Sequence, residues 1–166
     1  MARFEAEQTV TQSLLERLID RDPGVQSEPA PSRAQSVRLL KASLRRDVEW
    51  LLNTRRTPEP ADDAYPELAR SSFNFGLPDV TTLSYTSGKD RARLARMLES
   101  TLAVFEPRLD RIKVTALDPG TTNAHVLRFQ IEGLLLMDPA PEHISFDTVL
   151  QLSSGEYQVK GEQSAG

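Results

Sequence analysis

The sequence contains no cysteine. That excludes a disulfide scaffold and a thiolate metal site, and it is compatible with a reducing compartment. There are two histidines, His125 and His143, and both flank predicted strands. Without cysteines or closely spaced carboxylates around them, no metal site is expected. Aromatic residues make up 6% of the chain, and no cluster of tryptophan and tyrosine offers a platform for sugar rings. The longest apolar run is Leu134-Leu135-Leu136-Met137, far short of the roughly 20 residues that span a bilayer. Met1 to Val10 is polar and charged and lacks the apolar stretch of a signal peptide, so a cytoplasmic location is expected. A glycine-rich phosphate loop, a G-x-S-x-G elbow and an H-E-x-x-H pair are all missing from the sequence. The net charge of -4 gives no global basic field to attract nucleic acid.

What is present is ordinary for a folded domain: 166 residues, 39% hydrophobic and 27% charged. This length suits one domain with a real core. Charge is unevenly spread. Residues 33–56 carry a local +5 from Arg33, Arg38, Lys41, Arg45, Arg46, Arg55 and Arg56 against Asp47 and Glu49, while residues 1–32 sum to -3. Such asymmetry suits protein docking. It equally describes long charged side chains covering a helix face.

Periodicity predicts helices first and strands afterwards. Thr11 to Asp20 reads as a short helix, with Leu14, Leu15, Leu18 and Ile19 at helical spacing. Residues 22–32 hold three prolines among polar residues and read as a linker. From about Ser32 to Arg55, Val37, Leu40, Leu44, Val48, Leu51 and Leu52 make one apolar stripe. Residues 57–87 are irregular, with a helical turn expected after Pro78. Ser87 to Phe105 is a second amphipathic helix, begun by a Ser87/Asp90 variant of the capping box and stopped at Glu106 by Pro107. Period two then takes over around Ile112–Ala116, Leu127–Gly133 and Ile144–Leu152. Asp118-Pro119-Gly120 is a turn, and Ser153-Ser154-Gly155-Glu156 a final hairpin into Tyr157–Val159. The expected fold is α+β: a small antiparallel sheet of three to four strands packed against two long amphipathic helices, with a short N-terminal helix. The expected organisation is a partner-binding helix and Pro-rich linker over 1–32, an α+β domain over 33–160, and a flexible tail over 161–166.

Glu106-Pro107-Arg108 is the candidate site. It is either a rigid helix-to-strand corner with mutually paired charges, or a pre-organised Glu/Arg pair offered to a partner. Arg55 and Arg56 at the helix end either complement the helix dipole or join a docking patch. Glycoside hydrolysis would need two carboxylates across a cleft, for which Glu106 and Asp110 are the nearest pair. Arg108 would pair with Glu106, and that works against a general acid. A nucleic-acid role would rest on the basic 33–56 helix, against acidic regions elsewhere.

Several of these segments together resemble one family. Arg45 to Arg56 resembles the "DLE-x-LLNTR" helix end of TssE proteins, the baseplate wedge subunits of type VI secretion systems. Those are relatives of the gene-25-like wedge protein of contractile phage tails. Ser72 to Asp79 resembles the family's "S-x-x-N-(Y/F)-G-(L/I)-P-D" segment, and Phe105-Glu106-Pro107-Arg108-Leu109 its "FEPRL" core. Phe129–Gly133 and Phe146–Thr148 are similar to its strand patterns, and Ser13–Leu18 to its first helix. Val80-Thr81 departs from the usual pair. The segments occur in family order over roughly residues 13–160.

The resemblance implies a non-enzymatic subunit in a cytoplasmic baseplate docked to an inner-membrane complex. Its implied partners are the TssF and TssG wedge proteins, the TssB/TssC sheath, and TssK. No cofactor, metal, nucleic acid or direct membrane insertion is implied. Glu106, Pro107 and Arg108, with Arg55 and Arg56, are expected to form a charged docking patch for a sheath-like domain. Leu14, Leu15 and Leu18 are expected to bind a wedge partner. The family's former lysozyme-like label leaves a peptidoglycan hydrolase as the alternative.

Overall fold

The computed structural model describes residues 10–20, 23–24, 31–59, 61–62, 64–80, 83–84, 87–117 and 126–161. The Asp118-Pro119-Gly120 turn, His125 and most of the 22–32 linker and 161–166 tail lie outside them. Among the described residues, three α-helices precede four strands: α1 Leu14–Leu18, α2 Arg33–Asn53, α3 Gly88–Phe105, then β1 Leu109–Leu117, β2 Val126–Leu135, β3 Glu142–Gln151 and β4 Tyr157–Lys160. The fold is therefore α+β, and the sheet is antiparallel in the order β1-β2-β3-β4. The chain forms two compact units, residues 1–44 and 45–166, divided within α2.

In the first unit, α1 is shorter than the sequence pattern predicts. Ser13 caps it by accepting from the Glu16 N–H, and Ile19 is already extended. Its apolar side chains Leu14, Leu15 and Leu18 are exposed, whereas Glu16 is buried. A full capping box starts α2. The Ser32 hydroxyl accepts from the Gln35 N–H, and the Gln35 side chain accepts from the Ser32 N–H at 2.8 Å.

The second unit contains the sheet. The expected alternation is present in β2 and β3, where Leu127, Phe129, Ile131, Leu135, Ile144, Phe146 and Leu150 are buried on one face. Each fully buried side chain of this size contributes roughly 1.5–3 kcal/mol over its exposed state. α3 neighbours β1 and buries Leu94, Leu98 and Leu102. Ser87 accepts from the Asp90 N–H as the capping reading requires, but the Asp90 carboxylate returns to the Ser84 N–H.

Two local features depart from simple periodicity. In β1, Asp110 faces Leu134 and Lys113 faces Glu132, so Arg111 and Ile112 share the place opposite Gly133. This bulge puts Arg111 at φ 50°. A Cβ on Gly133 would stand 3.2 Å from the Asp110 carbonyl oxygen, so glycine makes room for it. Leu109 and Val114 can thus both be buried despite their odd separation.

The second departure is at Leu77; the helical turn expected after Pro78 falls partly on residues 81–82, outside the described ones, and the Leu83 N–H donates to the Val80 carbonyl at 3.1 Å. Short 3-10 turns occur earlier, over Pro66–Arg70 and Ser72–Asn74. Leu77 forms a parallel bridge with Arg55: its N–H donates to the Thr54 carbonyl at 2.8 Å and its carbonyl accepts from the Arg56 N–H at 3.0 Å. That pairing holds Leu77 extended, and it also ends α2 at Asn53, short of Arg55. Gly76 precedes it at φ +106°, and a Cβ there would meet the Thr54 carbonyl oxygen at 2.3 Å.

Both edge strands have outward N–H groups taken by carboxylates from helices. Glu99 of α3 accepts from Val114 of β1 at 3.0 Å, and Glu49 of α2 accepts from Val159 of β4 at 2.9 Å. One turn on from Glu49, the Asn53 side chain both accepts from the Tyr157 N–H and donates to its carbonyl, each at 2.9 Å. Inward charges of this kind discourage pairing with foreign strands.

Candidate functional site

The corner between α3 and β1 is built from the helix outward. Phe105 ends α3, and Glu106 caps it through a backbone bond to the Leu102 carbonyl at 2.9 Å. Pro107 then forces the chain out of helical geometry, and the Leu109 N–H returns to the Glu106 carbonyl at 3.1 Å. The turn folds the Arg108 side chain back onto Glu106. Its Nε donates to Oε1 at 2.7 Å and its Nη2 to Oε2 at 2.6 Å, a fork-to-fork pair. The Arg108 backbone N–H adds a bond to Oε1 at 3.2 Å.

A third group completes the site. Arg108 Nη2 also donates to Asp47 Oδ2 of α2 at 2.8 Å, and Arg46 grips the other Asp47 oxygen at 2.8 Å. The Arg46 guanidinium lies 5.6 Å from the centre of the Trp50 ring. The Arg108 guanidinium is held charged above the ordinary arginine range. The Glu106 hydrogen bond is the main cause; burial opposes it, and the Glu106 charge and Asp47 add to it. The Glu106 side chain is 6% exposed, whereas those of Arg108, Asp47 and Arg46 are 25%, 27% and 29% exposed. Pro107 and Trp50 are exposed, the latter at 61%. Beside the corner, Phe75 meets Phe105 edge-to-face at 5.5 Å.

The predicted site residues are therefore differently placed. Glu106, Pro107 and Arg108 form one braced turn. Arg55 and Arg56 are exposed, eight and nine residues beyond Asp47 in the chain. Among the described residues, no bond or ion pair joins these arginines to the Glu106–Arg108 pair. They also lie past the last turn of α2, where the chain is already paired with Leu77. Asp47, Glu49 and Asn53 were not singled out by sequence reasoning, although all three lie in the segment carrying the family resemblance. Their signal was helical spacing: acids and an amide interrupting an otherwise apolar and basic stretch.

The carboxylate pair of the hydrolase reading is not assembled as a cleft. Both Glu106 oxygens accept from Arg108, and Asp110 is exposed with Arg111 at 3.8 Å. Among the described residues there is no group of three or more His, Asp or Glu able to hold a metal, and no helix long and apolar enough to cross a membrane.

Comparison with known proteins gives the context. No curated protein matches the chain by sequence. Among solved structures, it resembles a chain of "The baseplate complex from the type VI secretion system", with a TM-score of 0.48 and 21% identity, over 69% of this chain and 96% of that one. The profile of the family described as "Baseplate wedge protein gp25" matches residues 38–140, more than half of the sequence and inclusive of the whole braced corner. The chain belongs to the gp25 family of baseplate wedge proteins.

Proposed function

We propose that the chain is the TssE-type wedge subunit of a type VI secretion baseplate, joining TssF and TssG and helping start the TssB/TssC sheath, with TssK a further neighbour. Family membership supports a structural baseplate role. The ordered resemblance of Ser13–Leu18, Arg45–Arg56, Ser72–Asp79 and Phe105–Leu109 to TssE segments supports the narrower reading. In this reading the protein works in the cytoplasm, at a baseplate docked to an inner-membrane complex. The role is scaffolding, with no catalytic step.

The observation that carries the docking part is the brace of Arg108 by two acids, Glu106 and Asp47. It fixes a surface of Pro107, the outer part of Arg108, Arg46 and Trp50 before any partner arrives. Pre-organisation lowers the ordering cost of binding, and Arg with Trp is a typical hot-spot composition. The exposed Leu14, Leu15 and Leu18 supply a second contact, for a wedge partner.

The test is co-purification of TssF, TssG and TssB, with sheath assembly followed in cells. Trp50→Ala and Arg46→Ala change the surface, and Glu106→Ala/Arg108→Ala changes the brace. Both sets are expected to lose partner capture and sheath. Full capture and normal sheaths with the folded surface variants would show that the corner only holds the domain together. Leu14→Ser/Leu18→Ser is expected to reduce wedge capture alone.

A further inference from the structure

Arg55 stands apart from the braced corner, and its surroundings differ in kind. Its backbone is fixed by the bridge to Leu77. Its guanidinium lies across the β3–β4 turn, where Nη2 is 3.7 Å from the position a Cβ on Gly155 would occupy. Gly155 takes φ +72°, closed by bonds from its N–H to the Gln151 carbonyl and from the Gln151 N–H to the Glu156 carbonyl, both 2.8 Å. Among the described residues no carboxylate pairs with Arg55.

Between Arg55 and this turn is a cavity of about 230 Å³. Its floor is apolar, from Leu52, Leu77 and Leu150, and its rim is polar, from Arg55, Ser153 and Ser154. Among the described residues, Arg55 is the only charged one that lines it. An adjoining cavity also reaches Arg55, but there Arg55 and Arg56 are balanced by Glu59 and Asp79.

We propose that the Arg55 cavity is a socket for one glutamate side chain of a protein partner. The size selects a side chain: it is below the roughly 300–1,000 Å³ of cofactor and small-molecule sites. The single cation selects one negative charge. The leucine floor selects a ligand with a methylene stem behind that charge, which inorganic phosphate lacks. In the socket the carboxylate accepts from the Arg55 fork and from a serine hydroxyl, while the stem covers leucine. The inference deepens the docking reading by naming what Arg55 recognises, and it rests on that reading only for the partner's identity.

The experiment is an amide NMR titration of the full chain with three probes: acetyl-Ala-Glu-Ala-amide, its glutamine counterpart, and inorganic phosphate. The glutamate peptide is expected to shift Leu77, Ser153, Ser154 and Gly155 saturably at millimolar concentration. The glutamine peptide is expected to bind about tenfold more weakly, as loss of one charge-assisted contact implies. Arg55→Gln should abolish the shifts and Arg56→Gln should leave them. Equal binding of the two peptides, persistence in Arg55→Gln, or phosphate binding the same residues as tightly as the glutamate peptide would each overturn the socket. Should Arg55→Gln fail to fold, the two-peptide comparison on the native chain still decides. Co-purification can fail while the titration succeeds, so the socket and the baseplate role are separable.

Discussion

Removing the Arg108 side chain is the sharpest perturbation of the corner. Arg108→Ala leaves Glu106 buried, with the bonds to both its oxygens from the guanidinium gone. Breaking a buried ion pair on one side costs roughly 3–5 kcal/mol. Arg108 and Asp47 are each about a quarter exposed, so water reaches part of the site and the low end applies, about 3 kcal/mol. For a chain of this size that lowers Tm by about 6–12 °C. Glu106→Ala should cost less, about 2 kcal/mol, because Arg108 keeps Asp47 and some water. The double variant should fall well short of the sum of the two, with a coupling of at least about 1.5 kcal/mol. Urea unfolding of the native chain, the two single variants and the double variant measures all four corners. The pH dependence follows from the raised pKa of Arg108. A group whose pKa rises on folding stabilises the fold fully below its unfolded pKa and loses that contribution only as pH rises through the folded value. The Arg108 contribution should therefore stay constant from pH 6 to 10 (about the working range below arginine titration). Additive single variants, or Arg108→Ala within about 1 kcal/mol of the native chain, would refute the view that the guanidinium neutralises a buried acid.

Three further outcomes follow from the packing. Gly76→Ala must place a Cβ against the Thr54 carbonyl at φ +106°; we expect a loss of about 3 kcal/mol or more by urea unfolding. Asn53→Ala leaves the Tyr157 N–H and carbonyl on the β4 edge without their side-chain partner; it should cost about 1–3 kcal/mol and raise light scattering on storage, with Glu49→Ala/Asn53→Ala worse on both counts. Thr148 is fully buried and its hydroxyl has no hydrogen-bond partner among the described residues; Thr148→Val should be neutral or stabilising by up to about 1 kcal/mol, read as a rise in Tm.

The helices and strands were legible because their physics is local. The α3 boundaries followed from Ser87 at one end and Pro107 at the other, and β2 and β3 follow plain alternation. The bulge in β1 was not legible, since it depends on Gly133 in another strand making room opposite Arg111 and Ile112. The Leu77 bridge was not legible for the same reason: its partner, Arg55, is 22 residues earlier in the chain. At the site, the Glu106–Arg108 pair could be anticipated because only Pro107 separates its members. Asp47, which is 61 residues from Arg108, could not.

This distribution bears on how the corner can serve an assembly. Within ten residues, Asp47 to Arg56 hold three separate segments: Asp47 takes the α3–β1 turn, Glu49 and Asn53 take β4, and the Thr54–Arg56 backbone takes Leu77. If a partner docks at Arg108 as proposed, the load it applies passes into α2, and from there into the β4 edge and the bridged Leu77. A bond to a solvated, unbraced arginine would instead be spent on ordering the side chain, at roughly 1.5–2 kcal/mol for a long charged residue. Burial of Glu106 thus does not oppose docking at the corner. It makes Glu106 the wrong residue with which to test contact, because its loss alters the placement of everything it holds. Trp50 and Arg46 are the residues whose loss would report contact, because Trp50 is exposed and Arg46 bonds Asp47 from outside the Glu106–Arg108 pair.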